Sequence, residues 1–432
     1  MTSEAKGQAS ATNVVRVVSG NFLEMYDFMV YGFYASAIAK AMFPGDNEFV
    51  SLMLSLATFG MGFLMRPLGA IVLGSYMDRR GRRAGLIVTL TLMSVGVLMI
   101  AVTPTYASIG ALAPVLVIVG RLLQGFSAGA ESGGVSVYLS EIAPPGRRGF
   151  YVSWQSASQQ VSVLLAAVLG VALRFTLTPE QMNSWGWRVP FLLGCSIVPV
   201  LFWIRRSVSE SQVFKAQKPQ RVGEIFASLA HHWRIILWST MLVSLTSIMF
   251  YLITAYTPTF GRAELGLRPL DTFYVTTCVA LTTFVMIPVM AALSDRIGRK
   301  PLLVGASLTI AIVAWPAMNW LVAAPSFLSL LIVEVGFAFL YASYQAALVV
   351  TLTEIIPANV RGTGFSLAYS LSQAVFGGFT PAICTALIHI TSNKAMPGAW
   401  LVMGALFALF ATLAIVRGER QPADEASAPA VS

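Results

Sequence analysis

The sequence predicts an all-α integral membrane protein of twelve transmembrane helices. Of its 432 residues, 56% are hydrophobic and only 11% are charged, and the mean hydropathy is +0.73. An average soluble domain is about 25% charged. Apolar stretches of the length that a helix needs to cross a bilayer, about 20 residues, recur along nearly the whole chain. The protein is therefore predicted to be polytopic, with little chain left for a folded domain outside the membrane.

Glycines, prolines and charged residues divide these apolar stretches into twelve predicted helices. The boundaries fall, in chain order, at PG (44–45), DRRGRR (78–83), TP (103–104), APPGRRG (143–149), TPE (178–180), RR (205–206), GRAE (261–264), DRIGRK (295–300), AAP (323–325), IPANVRG (356–362), NKAMPG (393–398) and RGER (417–420). The resulting helices cover roughly residues 16–41, 52–77, 84–103, 109–139, 150–174, 187–205, 233–260, 271–294, 301–320, 326–351, 363–390 and 398–417. Boundaries read from a sequence carry an error of a few residues.

The longest polar interruption divides the chain near its middle. Residues 1–205 are predicted to form one six-helix bundle, residues 206–232 a cytoplasmic linker, and residues 233–432 a second six-helix bundle with a short cytoplasmic tail. Most of the 28 lysines and arginines fall in loops that this assignment places on one side of the membrane. By the positive-inside rule, both termini are predicted to be cytoplasmic.

The charge distribution also limits the possible partners. Because topology explains most of the net charge of +9, no nucleic-acid partner is predicted. The cysteines lie in apolar stretches without metal-ligand or CxxC spacing, so neither a metal site nor a disulfide framework is expected. Motifs of ATP-driven pumps and hydrolases are missing from the sequence. We therefore expect a transporter without a cofactor, working as a monomer among membrane lipids, and neither an enzyme nor a channel.

Two pairs of loops show that the halves are related. "GSYMDRRGRR" (74–83) in the first half is similar to "ALSDRIGRK" (292–300) in the second, and "SEIAPPGRRG" (140–149) is similar to "TEIIPANVRG" (353–362). The offsets, 217 residues from Asp78 to Asp295 and 213 from Glu141 to Glu354, are nearly equal. A duplication of six helices is therefore predicted. Transporters built from two such parallel repeats bind substrate between the repeats near the membrane midplane.

These loops resemble those of the major facilitator superfamily, and the resemblance covers essentially the whole chain. More narrowly, "NFLEMYDFMVYGFYA", "GFLMRPLGAIVLG", "WGWRVPFL" and "SLAYSLSQAVFGGFTP" are similar to the metabolite:proton symporter family and to its citrate-proton symporters. The resemblance implies the major facilitator fold and proton-coupled uptake of citrate across a bacterial inner membrane by rocking of the two halves. It also implies that acid–base pairs gate the cytoplasmic side: Asp78 with Arg82, Glu141 with Arg148, Asp295 with Arg299, and Glu354 with Arg361.

A few ionisable residues fall inside the predicted helices, where a charge at the bilayer centre costs about 3 kcal/mol. We expect these side chains to face one another or a watery cavity. They are Glu24 and Asp27 in helix 1, Arg66 in helix 2, Arg121 and Glu131 in helix 4, and Glu334 in helix 10.

This set of residues suits a carrier of anions. Arginine stays charged and presents a planar fork that binds a carboxylate through two parallel hydrogen bonds. Arg66 and Arg121 are therefore predicted to bind a substrate with several carboxylates. Polar side chains on the same helix faces, or on neighbouring helices, are predicted to complete the substrate site: Asn21, Ser132, Gln155, Gln159, Tyr256, Tyr341 and Tyr369.

Buried carboxyl groups are predicted to carry the coupling proton, because a carboxylate that loses its arginine partner in an apolar site moves towards protonation. The candidates are Asp27, Glu24, Glu131 and Glu334. "MYDFMV" and "GRLLQG" resemble the places where proton-coupled sugar porters carry an aspartate and an arginine that pair. That resemblance implies Asp27 opposite Arg121 as the first choice, with Glu131 second.

Some alternatives stay open at this stage. The substrate could be another small carboxylate, such as tricarballylate or a dicarboxylate, or a zwitterionic osmolyte. The coupling ion is expected to be a proton, although a sodium site built from backbone carbonyls would leave no signature in the sequence.

Overall fold

The computed structural model describes residues 11–18, 20–45, 47–80, 82–129, 132–206, 232–357 and 361–425. Within these ranges the chain is helical, without a strand. Twelve helical spans follow one another: α1 (Gly20–Phe33 and Ala35–Met42), α2 (Glu48–Leu64 and Arg66–Arg80), α3 (Arg82–Val102), α4 (Leu112–Ala128 and Ser132–Ile142), α5 (Arg148–Thr176), α6 (Val189–Arg206), α7 (Trp233–Tyr251, Leu252–Tyr256 and Thr257–Ala263), α8 (Pro269–Ile297), α9 (Arg299–Ala323), α10 (Phe327–Ile355), α11 (Arg361–Ser372, Gln373–Gly377 and Thr380–Thr391) and α12 (Met396–Glu425).

Length and hydropathy mark most of these spans as membrane-crossing. Within the described residues, eight helices are long and apolar enough to cross a bilayer. The apolar parts of α3, α4 and α6 are shorter, at Ile87–Val102, Leu112–Ala128 and Gly186–Val200. Together with α1, which is interrupted at Tyr34, they complete the twelve spans. The predicted linker lies almost entirely at residues 207–231, outside the described residues.

Each half of the chain packs mainly against itself. In the first half, α1 lies against α5 and α6, while α4 lies between α2 and α3. In the second half, α7 lies against α11 and α12, while α10 lies against α8 and α9. The halves meet where α5 packs on α8, α2 on α11, and α1 on α7. Side chains on these six helices, and on the adjoining parts of α4 and α10, can therefore face the opposite half.

Small residues bring α2 and α4 unusually close together. A Cβ atom added to Gly125 would lie 1.5 Å from the carbonyl oxygen of Gly62, and one added to Gly129 would lie 2.0 Å from that of Arg66. Only glycine permits such close backbone contact, which in membranes supplies much of the packing energy between helices. This crossing places Arg66 of α2 near Arg121 of α4.

Several spans depart from regular α-helix part-way along their length. A π-helical segment, Leu252–Tyr256, interrupts α7, and a second, Gln373–Gly377, interrupts α11. In α2 the helix breaks at Met65, immediately before Arg66. Such irregular turns leave backbone groups and side chains in altered register and are frequent at functional sites.

The two ends of the molecule differ in charge, and we name them accordingly. The basic end carries the α8–α9 and α10–α11 loops and the start of α5, with Arg147, Arg148, Arg299 and Arg361. The opposite end carries the α1–α2, α5–α6, α7–α8 and α11–α12 connections. Contacts between the halves close the opposite end mainly through apolar and aromatic groups. Examples are the stack of Phe49 on His389, with ring centroids 3.8 Å apart, and the edge-to-face pair of Phe33 and Phe273, 5.7 Å apart.

Candidate functional site

The centre of the site is a buried ion pair between the first two spans. One terminal nitrogen of Arg66 lies 2.6 Å from Oε1 of Glu24, and the two side chains are 2% and 4% exposed. The other terminal nitrogen donates to the amide oxygen of Gln373 on α11. The guanidinium carbon also lies 4.8 Å from the ring centroids of Phe28 and Phe63. Arg66 is thus bound to both halves of the molecule at once.

A second arginine also lies against the ring of Phe28. Arg121 is fully buried, and its guanidinium carbon lies 4.3 Å from the Phe28 ring centroid and 4.7 Å from that of Tyr31. It donates to the side-chain oxygen of Gln124 at 2.7 Å and to the backbone oxygen of Phe59 at 3.3 Å. All these acceptors are uncharged, and Arg121 has no ion-pair partner within 4.0 Å among the described residues.

The expected ion pair of Asp27 with Arg121 is not formed in this structure. Asp27 is fully buried, and neither of its carboxyl oxygens has a hydrogen-bond partner among the described residues. A Cβ atom added to Gly194 of α6 would lie 2.9 Å from Oδ1 of Asp27. The carboxyl group therefore points towards α6, although it still interacts electrostatically with Arg121.

The physical reason lies in the geometry of α1. Glu24 and Asp27 are three residues apart, which separates them by about 60° around the helix. Glu24 faces α2 and α11, whereas Asp27 faces α6. The acid that meets an arginine is thus Glu24, and its partner is Arg66 rather than Arg121.

Uncharged side chains from both halves form a second cluster beside the arginines. The amide nitrogen of Gln345 on α10 donates to Ser156 of α5 at 2.8 Å and to the hydroxyl of Tyr369 on α11 at 2.9 Å. Its amide oxygen accepts from Thr246 of α7. Tyr369 interacts electrostatically with Arg66, so the two clusters adjoin. Hydrogen-bonding groups from α5, α7, α10 and α11 thus converge beside the two cations.

Tyr251 connects these clusters. It is fully buried on α7, and its hydroxyl has no hydrogen-bond partner within the described part of the chain. Its ring lies against those of Phe59 and Phe63, at centroid distances of 5.9 and 5.1 Å. A phenol that is free to donate beside two guanidinium groups can bind a substrate oxygen.

Glu334 lies apart from this centre, on α10 near the π-helical segment of α7. It is 4% exposed, and its Oε2 atom has no hydrogen-bond partner among the described residues. The carboxyl group interacts with Thr257, which directly follows the π-helical segment. Its position therefore suits control of α7 better than contact with a substrate at Arg66.

At the basic end, a carboxylate from one half caps a helix of the other half. The oxygens of Asp295 on α8 accept from the backbone N–H groups of Gly149 and Phe150, at 2.9 and 3.0 Å, in the first turn of α5. Arg299 reaches Asp295 at 2.8 Å and Glu354 at 3.3 Å. A negative charge at a helix N-terminus is stabilised by the helix dipole and the free N–H groups. This closure breaks when the halves part at that end.

Comparisons with known proteins agree with this architecture. Residues 12–221 match the family model described as Sugar (and other) transporter, and residues 270–432 match that of the Major Facilitator Superfamily. The citrate-proton symporter of Salmonella typhi is 54% identical over 92% of this chain and 92% of its own length. That of Klebsiella pneumoniae is 52% identical over 95% of this chain and 93% of its own.

The chain belongs to the major facilitator superfamily. Its fold is that of solved members: the proton:xylose symporter XylE bound to 6-bromo-6-deoxy-D-glucose superposes with a TM-score of 0.76, covers 94% of each chain and is 19% identical. The predicted family and the all-α fold of two six-helix halves are thereby confirmed. The protein is a multi-pass membrane protein.

Several of the predicted functional residues fall outside the part of the chain, or the set of side chains, that the structure describes. Glu131 lies outside the described residues, and the side chains of Asn21, Ser132, Asp78 and Arg82 are likewise not described. Their roles stay predictions.

The remaining predicted residues of the facilitator are distributed unevenly around the centre. Tyr369 belongs to the polar cluster, and Tyr341 is buried beside it. Gln155 is buried and accepts from Ser156 at 2.9 Å, one step behind that cluster. Tyr256 lies further towards the opposite end, where its hydroxyl is 2.9 Å from that of Thr385. At the basic end, Arg361 donates to the backbone oxygen of Ile356 at 3.2 Å, while Arg148 and Glu141 are exposed.

The helix face of α5 was predicted one residue out of register. Gln159 is half-buried, whereas Gln160 is fully buried and accepts from Thr283 of α8 at 2.9 Å. Ser156, Gln160, Thr246 and Thr283 were not among the predicted site residues. Small hydroxyl and amide side chains recur throughout membrane helices, so no signal in the sequence distinguishes those that face the other half.

Asp295→Asn should weaken the closure at the basic end, because the amide loses the charge that the start of α5 and Arg299 stabilise. Charge-assisted hydrogen bonds are worth about 1.5–3 kcal/mol. We expect the conformational equilibrium to shift towards opening at this end by at least tenfold. The rate at which a cysteine placed at Phe150 reacts with a water-soluble maleimide measures this shift. Asp271→Asn, at the other end of α8, is the matched control, and equal labelling of both variants would contradict the prediction.

Proposed function

We propose that this facilitator takes up citrate together with protons by alternating access between its two halves. The observation that carries the proposal is the pair of buried guanidinium groups, Arg66 and Arg121, which both lie against the ring of Phe28 near the interface of the halves. Two planar cations in a water-poor site match an anion with several carboxylates. The high identity to proteins named citrate-proton symporters supports citrate among such anions.

The coupling follows from competition for Arg66. Glu24 occupies one side of this guanidinium, so a substrate carboxylate that binds there displaces Glu24. A carboxylate left in an apolar site without its cation takes up a proton. Asp27 adds a second carboxyl group, which has no hydrogen-bond partner among the described residues and interacts electrostatically with Arg121. Binding of the anion and binding of protons would thus favour each other.

The polar cluster would position the parts of the substrate that the arginines do not reach. Gln345, Tyr369 and Gln373 come from the second half, and Ser156 comes from the first. Because these groups hydrogen-bond across the interface in the absence of substrate, a bound anion can replace those bonds from either side. Movement of the halves about this point would expose the site at one end at a time.

We place the basic end in the cytoplasm of a bacterial cell, with both termini on that side of the inner membrane. The excess of lysine and arginine in the loops at this end supports that orientation. The transport unit would be a single chain, since the site is built from the two halves of one molecule. The proposed coupling ion is the proton, because two buried carboxyl groups lie beside the arginines: Glu24 pairs with Arg66, and Asp27 interacts electrostatically with Arg121.

Uptake into proteoliposomes tests this function. Citrate should accumulate against its gradient when an inward proton gradient is imposed, and dissipating that gradient should abolish accumulation. Tricarballylate, a dicarboxylate and a zwitterionic osmolyte serve as competitors, and a sodium gradient of equal size is the control for the coupling ion. Absence of citrate uptake, or accumulation driven by sodium alone, would refute the proposal.

A further inference from the structure

A cleft at the opposite end holds two arginines, one from each half. Arg174 lies in the last turn of α5, and Arg262 lies near the end of α7. Both line a cleft between α1 and α5 on one side and α7 and α8 on the other. Tyr34 and Thr259 line it as well. The central arginines, by contrast, lie at mid-depth on α2 and α4.

The polar groups of this cleft are rich in donors and lack an acid. No aspartate or glutamate is among the residues that line it. The Nε atom of Arg174 and the hydroxyl of Tyr34 are buried without a hydrogen-bond partner in the described part of the chain. The nearby Asp271 is already engaged, because Arg268 holds both of its oxygens at 2.9 Å.

The two guanidinium groups act against closure of this end. Arg174 and Arg262 belong to different halves and interact electrostatically as like charges. Bringing like charges together in a partly desolvated cleft is unfavourable unless an anion lies between them. A carboxylate can accept from two arginines at once, since each of its oxygens has two lone pairs. An anion at this point would therefore join the halves as well as bind.

We propose that Arg174 and Arg262 form an outer anion site that receives a carboxylate of the incoming substrate before it reaches Arg66 and Arg121. The inference rests on the proposed function, because it takes the substrate to be a polycarboxylate. It adds a second binding site on the pathway, nearer the opposite end. The two arginines concentrate the anion there, and the bound anion neutralises the charge repulsion that opposes closure of that end. Focusing of this kind raises the rate of association and weakens as salt is added.

The test is the KM for citrate applied from the side of the opposite end, measured as initial proton-driven uptake in oriented vesicles. For Arg174→Gln with Arg262→Gln, we expect KM to rise about tenfold at low ionic strength. The difference from the unaltered protein should narrow as salt is added. The charge-retaining pair Arg174→Lys and Arg262→Lys should keep KM close to its original value. A fall in the saturating rate with an unchanged KM would indicate a structural role and overturn the inference.

Two controls separate this site from other sources of the effect. Lys394→Gln removes an exposed charge at the same end, outside the cleft, whose hydrogen bond is to the backbone oxygen of Glu264, and an equal rise in KM there would overturn the inference. Vesicles made with phosphatidylcholine alone, whose headgroups carry no net charge, test an anionic lipid as the ligand: if the effect of the double variant disappears in them, the anion is an anionic lipid headgroup and the inference fails. If the double variant transports citrate with an unchanged KM, this outer site alone is overturned. If the unaltered protein takes up no citrate, the proposed function is overturned as well.

Discussion

Asp27→Asn is expected to retain exchange of citrate across the membrane while losing accumulation driven by a proton gradient. The amide fits the same space and carries no charge. Within the described part of the chain neither carboxyl oxygen has a hydrogen bond to lose, so little stability should be lost. Without a titratable group at this position, the electrostatic link between Arg121 and proton binding is removed.

Counterflow of labelled citrate and accumulation under an imposed pH gradient measure the two activities in the same vesicles. Glu48→Gln, an exposed carboxyl group at the start of α2, serves as the matched control. Glu24→Gln belongs in the same series, because Glu24 is the acid that the structure pairs with an arginine. Normal accumulation by Asp27→Asn would assign the coupling proton to another carboxyl group.

Arg66→Ala is expected to lower the affinity for citrate by at least a hundredfold. Loss of two charge-assisted hydrogen bonds, each worth about 1.5–3 kcal/mol, accounts for an effect of this size. The same substitution leaves Glu24 buried without its cation, and breaking a buried ion pair in this way typically costs about 3–5 kcal/mol of stability. Arg66→Ala would therefore lower both the citrate affinity and the stability of the fold, and a second variant is needed to separate the two effects.

Arg66→Gln combined with Glu24→Gln provides that separation. The two amides remove both charges together, so stability should recover while citrate binding stays lost. Thermal unfolding in detergent and equilibrium binding of labelled citrate follow the two properties, and Arg268→Ala is the control for loss of an exposed arginine. Undiminished citrate affinity in the double variant would remove Arg66 from the substrate site.

The sequence was sufficient to predict the spans and to identify ionisable residues that the helices bury. Hydropathy is a strong signal at the scale of a whole span, and a charge in an apolar helix is rare enough to draw attention. Arg66, Arg121, Glu24 and Asp27 were all predicted as site residues, and the structure places them around or beside one aromatic ring, that of Phe28.

Pairing within the site could not be predicted, because it depends on helix rotation. A residue one position away lies about 100° further around a helix, which is why Gln160 rather than Gln159 meets Thr283. The π-helical segments add to the difficulty, since an extra residue in a turn changes the face of everything beyond it. Gln373 begins such a segment. Its contact with Arg66 joins the two halves through residues that are 307 positions apart in the sequence.

The unlike chemistry of the two ends gives the molecule a built-in sensitivity to its surroundings. The carboxylate cap of Asp295 on α5 is an electrostatic bond, which dissolved ions and nearby charges weaken. The aromatic contacts of Phe49 and Phe33 are indifferent to ions, and they weaken on cooling as apolar association does. Temperature therefore acts mainly on the aromatic contacts of the opposite end, whereas ionic strength acts on charges at both ends, so closure of each end depends on the medium as well as on the substrate.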